Sequence, residues 1–208
     1  MEKRGILLVV SGFSGAGKGT LMKELLRRYE NYALSISATT RKPREGEAEG
    51  REYFFKDREA FEQMIARDEL IEYACYVGNY YGTPRAYVEE QLEQGRDVVL
   101  EIEIQGARKV KERFQDTILL FVSPPSAQEL RRRLTDRGTE TPEVIENRLA
   151  RAIEEAEGIE DYDYFVINDD LDACVEYVHQ IVQCERSRTG RRAEQIQAIR
   201  QELKAFAK

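Results

Sequence analysis

A chain of 208 residues with 41% hydrophobic content can bury one sizeable core, with room for an inserted subdomain. Charged residues make up 34% of it and the net charge is −7, which argues against a broad basic surface for nucleic acid. A single histidine, His179, excludes a His-based triad or a multi-histidine metal site. Cys75, Cys174 and Cys184, odd in number and without metal-type spacing, read as reduced, buried thiols.

In chain order, "GILLVV" (5–10) is a continuous β-branched run and predicts a buried strand. A glycine-dense stretch follows, then helix signals from about Lys18 to Tyr29 and a short strand at 33–37. From about 38 to 90 the rhythm breaks into short strand-like pieces ("EYFF", "LIEYACYV", "NYYG") around a helix near 57–67. This stretch reads as an insertion. Strands at 97–104 and 117–123 enclose the helix "GARKVKERF", and the helix "SAQELRRRLTDR" comes next. Thr141-Pro142 supplies an N-cap and first-turn pair for a helix over 141–158. A strand at 162–168, the helix "DACVEYVHQIVQCERSR" and a terminal helix at 191–206 complete the chain, with "RSRTGRR" as a solvated helix break at Gly190. This alternation predicts an α/β fold, a mostly parallel sheet covered by helices on both faces. The apolar N-terminal run lacks a signal-type cleavage pattern, and no segment approaches a membrane span. The expected location is cytoplasmic, with neither membrane nor nucleic acid as partner.

Between the first strand and first helix, "SGFSGAGKGT" places Gly12, Gly17 and Lys18 in the G-x-x-x-x-G-K pattern of a P-loop. Glycines let successive N–H groups curl toward an anion, the helix N-terminus adds partial positive charge, and a lysine bridges phosphates. Gly12, Ser14, Gly15, Ala16, Gly17, Lys18, Gly19 and Thr20 are the candidate ATP-binding residues. Gly19 stands where Ser or Thr commonly follows the lysine, so the hydroxyl moves to Thr20. No Asn-Lys-x-Asp motif is present, which argues against a GTPase. The "GKGT" form resembles nucleoside monophosphate kinases.

Arg41 and Arg44 flank Lys42-Pro43 in "TTRKPREGE", so two guanidinium forks can be aimed at one anion. With "SGAGKGT", "YFF", "VGNYYGTP", "LEIEIQGA", "RGTET" and "NDDLD" in order from about Gly5 to Arg188, the chain closely resembles the guanylate kinase family. The resemblance implies a three-layer P-loop core (about 1–37, 84–136 and 159–208), a mixed α+β GMP-binding subdomain (about 38–83) and a helical lid (about 137–158). It implies that Ser37, Glu72 and Thr83 face guanine with Glu101 nearby, and that Arg41, Arg44, Tyr53 and Tyr81 hold the GMP phosphate. Arg137 and Arg148 would reach the transferring group alongside Lys18 and Arg41, and Asn168 would sit near the donor. It implies ATP and GMP as substrates (dGMP included) and Mg²⁺ held mainly by phosphates and water, without a dedicated protein cage. A homodimer stays open.

The residue chemistry supports these roles. Guanine presents N1–H and a 2-amino group side by side, and one ionised carboxylate such as Glu72 accepts from both. A phosphate acceptor is largely deprotonated at neutral pH, so no general base is required. Glu101 and Glu103 stand where many relatives have aspartate, Phe13 where many have proline, and Ala38 lacks a hydroxyl some carry. The loop 41–51, dense in charge and glycine, looks mobile until an anion orders it. Two other readings are a catalytically silent guanylate-kinase-like protein-binding module and a kinase of another phosphorylated acceptor. Lys18, Arg41, Arg137 and Arg148 weigh against the first, and the set Ser37, Glu72 and Thr83 against the second.

Overall fold

The computed structural model describes residues 4–76, 78–136 and 141–206. Its centre is a five-stranded parallel sheet of β1 (Leu7–Gly12), β2 (Tyr32–Leu34), β7 (Asp97–Glu101), β8 (Ile118–Ser123) and β9 (Tyr164–Ile167), in the order β2-β7-β1-β8-β9. β1 lies between β7 and β8 and is buried on both faces, which is why its sequence is apolar without alternation.

The two-residue period sorts β1 between two cores. Leu8 and Val10 face α1 (Lys18–Arg28) and α7 (Leu171–Arg186) through Leu21, Leu25, Val175 and Val178. Leu7 and Val9 face α3 (Arg85–Glu93) and α4 (Ile104–Arg113) through Val88, Leu92, Ala107 and Val110. The result is the three-layer arrangement expected. It places the P-loop at the C-terminal end of the central strand, where open α/β sheets bind ligands.

The irregular stretch forms a second, four-stranded sheet in the order β4-β3-β6-β5. Its strands are β3 (Ala38–Thr39), β4 (Phe54–Phe55), β5 (Leu70–Tyr76) and β6 (Asn79–Pro84). β3 and β4 are parallel, and the other pairs are antiparallel. α2 (Arg58–Ala66), N-capped by Asp57, packs on this sheet through Phe61, which stacks on Tyr80 at 5.2 Å. Further along, α5 (Ala127–Asp136) packs with α6 (Pro142–Ala156) through Leu130, Leu134 and Ala152, with Phe13 of the P-loop against the same cluster. Thr141 caps α6 by accepting from the Val144 N–H, as its sequence predicts.

Asp97, at the start of β7, ties that strand to the segments leading into β1 and β2 and to the end of α7. Fully buried, it accepts from the Ile6 N–H (2.8 Å), Asn31 Nδ2 (2.8 Å) and the Arg186 guanidinium.

Several expectations need correction. The second strand ends at Leu34, and the strand from Asp97 ends at Glu101, because Glu103 takes the extended N-cap conformation of α4. α3 has no counterpart among the predicted elements. Only Cys174 is buried; Cys75 and Cys184 are exposed, and all three are free thiols. The solvated break at Gly190 is found as expected, in a 3₁₀ turn, Thr189–Arg192, before α8 (Ala193–Phe206). Among the described residues, no helix is long and apolar enough to cross a membrane.

Candidate active site

The P-loop owes its shape to two close approaches. A Cβ on Gly12 would lie 2.1 Å from the Val122 carbonyl oxygen. Gly17, at φ 87° in the left-handed region, caps α1 without a side-chain bond, and a Cβ there would lie 2.6 Å from Asn168 Nδ2. Asn168 is buried, and its amide donates to the Ala16 carbonyl at 2.8 Å, so the end of β9 supports the loop from below. Lys18 Nζ donates to the carbonyls of Gly12 (2.8 Å) and Phe13 (3.1 Å), folding the lysine over its own loop. Phe13 itself meets Phe121 edge to face at 5.0 Å, so it anchors the loop to the core and to the α5–α6 pair.

Above the loop is a cleft of about 580 Å³ lined by Gly12, Ser14, Lys18, Glu101, Glu103, Arg148, Arg151 and Glu155, among others. Arg148 donates to the Ser14 hydroxyl, which brings α6 onto the P-loop. Arg137 lies outside the described residues. Thr20 is exposed on the first turn of α1. The Glu101 carboxylate reaches the loop, 4.0 Å from the Cβ position of Gly19.

A second cleft of about 400 Å³ adjoins it, lined by Ser37, Glu52, Tyr53, Thr83, Leu100, Glu101 and Ile102, among others. Glu101 and Ile102 at the end of β7 are walls of both clefts. Beneath Thr83 lies Glu72, 8% exposed, whose Oε1 accepts from the Thr83 hydroxyl at 2.7 Å. Burial pushes the Glu72 carboxyl above the ordinary range, with the Thr83 hydrogen bond opposing it.

Beside the second cleft, the Arg41 guanidinium lies 5.2 Å from the Tyr53 ring centre, and the Tyr53 and Tyr81 rings are 6.0 Å apart. Arg44 is exposed next to them. The structure therefore brings Tyr53 next to both Arg41 and Tyr81 and sets Ser37 and Thr83 in the wall of the second cleft, with Glu72 reached through Thr83 and lining a separate cavity beside Lys109 and Arg113.

Three residues went unassigned in the sequence. Glu47 pairs with Arg41, Arg151 pairs with Glu103 at 2.6 Å, and Glu155 faces the first cleft beside Arg151 and Lys18, its carboxyl raised by burial. Arg148, Arg151 and Glu155 fall on one helical face at spacings of three and four. That period was available as a signal once Arg148 was singled out. Within the loop 41–51, carboxylates accept from the backbone: Glu47 from the Arg44 N–H, Glu52 from the Ala48 N–H and Glu49 from the Phe55 N–H.

The family model for guanylate kinase matches residues 4–185. The chain belongs to the guanylate kinase family. It is an enzyme of the nucleoside monophosphate kinase class. A guanylate kinase of Caldanaerobacter subterraneus subsp. tengcongensis is 48% identical over 202 residues, covering 97% of this chain and 98% of the relative. One from Bacillus cereus is 51% identical over 194 residues, covering 91% and 95%. The crystal structure of guanylate kinase from Anaplasma phagocytophilum, 36% identical, superposes with a TM-score of 0.71 over 91% of this chain and 90% of that one.

Among the described residues, no group of three or more His, Cys, Asp or Glu side chains is gathered to hold a metal ion.

Proposed function

We infer that the chain transfers the γ-phosphoryl group of ATP to GMP, and to dGMP as an alternative acceptor, giving ADP and the nucleoside diphosphate. The observation that carries this reading is the shared wall of the two clefts. Glu101 and Ile102 line both, so a donor phosphate over the P-loop and an acceptor phosphate beyond it meet at one point.

The donor phosphates would lie on the amides of residues 12–20, where Lys18 exchanges its bonds to the Gly12 and Phe13 carbonyls for phosphate oxygens. Arg148, already at Ser14, and Arg137 would neutralise charge on the transferring group. Guanine would enter over Thr83, with the Glu72 carboxylate accepting from N1–H and the 2-amino group and Ser37 at its edge. Arg41, Arg44, Tyr53 and Tyr81 would take the acceptor phosphate. Catalysis then consists of alignment and charge neutralisation, because the attacking oxygen carries its negative charge in advance.

An exposed carboxylate within reach of the P-loop suits a hard cation that keeps most of its water. Glu101 fits as a partner of Mg²⁺ shared with the phosphates. Bound there, the ion would supply Lewis-acid polarisation of phosphoryl oxygens. Cytoplasmic placement accords with the nucleotide substrates. A homodimer is supported by α8, on which Ile199, Leu203 and Phe206 are each at least half exposed; sedimentation separates monomer from dimer.

The deciding experiment is an acceptor panel of GMP, dGMP, AMP, UMP and a sugar phosphate with ATP and Mg²⁺. GDP and dGDP are the expected products, and a preference for any other acceptor overturns the reading.

A further inference from the structure

Glu47 bonds to both arginines of the "RKPR" loop. Its Oε1 accepts from Arg41 Nη2 at 2.9 Å, while its Oε2 accepts from the Arg44 main-chain N–H at 2.8 Å. The Glu47 N–H donates in turn to the Arg44 carbonyl at 3.1 Å, so residues 44–47 close on themselves and the carboxylate is built into that turn. The ion pair is largely withdrawn from water, with side-chain exposures of 14% for Arg41 and 17% for Glu47. Arg41 Nη1 donates to the Lys42 carbonyl at 2.8 Å, and the same guanidinium lies beside the Tyr53 ring.

We propose that Glu47 is a positioning residue for the acceptor phosphate, fixing the Arg41 fork and the Arg44 backbone in the arrangement that receives the anion. The proposal rests on the reading that GMP places its phosphate against Arg41, Arg44, Tyr53 and Tyr81. A guanidinium carries five N–H donors, so the bonds to Lys42 and Glu47 set its plane and leave donors for a phosphate. A free arginine of this length would lose its rotamer freedom when the ligand binds; here that ordering precedes binding. Glu47 also offsets the mutual repulsion of Arg41 and Arg44 before an anion arrives.

Two effects oppose each other. A carboxylate near the site repels a phosphate dianion, but its charge is already matched at 2.9 Å by the Arg41 guanidinium, so little net negative charge faces the ligand. Its bonds to Arg41 and Arg44 are direct contacts between charged or polar groups, so positioning outweighs repulsion.

The test is steady-state kinetics of Glu47→Gln and Glu47→Asp, together with inhibition by guanosine, which carries the base but no phosphate. Glu47→Gln turns one acceptor into a donor facing the loop. KM for GMP is expected to rise about tenfold, the scale of one lost charge-assisted hydrogen bond. The values of kcat, KM for ATP and Ki for guanosine should stay within about twofold of wild type. Glu47→Asp keeps the charge but is one methylene short of spanning both partners, so its KM for GMP should be raised by a smaller factor. It carries the test alone if the glutamine variant fails to fold. A fall in KM for GMP overturns the proposal and makes Glu47 a competitor for the phosphate site. Equal weakening of GMP and guanosine overturns it in favour of a role in folding the loop, and unchanged constants in both variants overturn it outright. A wild-type protein that fails to phosphorylate GMP refutes the function itself, which is a separate result.

Discussion

Glu72→Gln separates recognition of the base from stability of the fold, because the two should move in opposite directions. Glu72 Oε1 is engaged by Thr83, so a guanine above them must be read by the rest of the carboxylate. Glutamine offers one oxygen and one NH₂. If its oxygen keeps Thr83, its NH₂ meets the donors of guanine. The loss is one charge-assisted hydrogen bond, about 1.5–3 kcal/mol, plus a buried unsatisfied donor at about 1–3 kcal/mol. A total of about 2.5–6 kcal/mol corresponds to roughly two to four orders of magnitude in kcat/KM for GMP. A coupled ADP-release assay with varied GMP measures it.

Stability runs the other way. Burial raises the Glu72 carboxyl above the ordinary value of 4.5, so the folded chain holds the proton more tightly than the unfolded chain. The resulting stabilisation is fully present below the unfolded pKa and is lost as pH rises through the folded one. Glutamine has no charge to bury, so at pH 7 the variant should melt no lower than wild type, and any advantage should shrink on acidification. An unchanged kcat/KM for GMP refutes the reasoning. So does a loss of activity accompanied by a lower melting temperature at pH 7.

Lys18→Met should lower turnover by on the order of 10²- to 10³-fold or more while GMP affinity, measured by equilibrium binding, stays near wild type. Gly17→Ala forces a side chain into φ 87° and to within 2.6 Å of Asn168 Nδ2. The backbone alone costs about 1–2 kcal/mol. KM for ATP should rise at least about tenfold, with the melting temperature lowered as well. Asp97→Ala strands the Ile6 N–H, Asn31 and Arg186 in a buried site. Urea denaturation should show a loss of about 3–5 kcal/mol, the scale of a broken buried charge pair.

The core and P-loop were legible because each signal was local: an unbroken apolar run for β1, glycines where a Cβ would strike Val122 or Asn168, and Thr141-Pro142 to start α6. The misses have physical causes. α3 buries only Val88 and Leu92 and starts after Pro84 without a side-chain cap, so its nine residues carry almost no helical stripe. "EIEI" alternates like a strand, yet its last glutamate turns the chain into α4. Cys75 and Cys184, small and apolar in type, lie on exposed positions of β5 and α7, which composition does not reveal. Of the residues chosen for charge or hydroxyls, Ser14, Lys18, Glu101 and Arg148 line the first cleft and Ser37, Tyr53, Thr83 and Glu101 the second, but the carboxylates that pair with the arginines did not show in the linear pattern. Glu47, Glu103 and Glu155 acquire meaning only beside Arg41 and Arg151.

Those carboxylates resolve an apparent conflict in the composition. A chain of net charge −7 takes two polyanionic nucleotides in this reading, which a uniformly acidic surface would repel. Arg41 is matched by Glu47, and Arg151 by Glu103 and Glu155, so these cations are held in place at little cost in local self-repulsion. An incoming phosphate meets a fixed guanidinium at contact distance and the paired carboxylate only behind it. Coulomb attraction falls with distance and screening, so the near cation dominates. Selectivity for nucleotides then depends on where the cations are fixed and not on the sign of the whole molecule, and the arginine-fixing glutamates add to the negative total while serving the site.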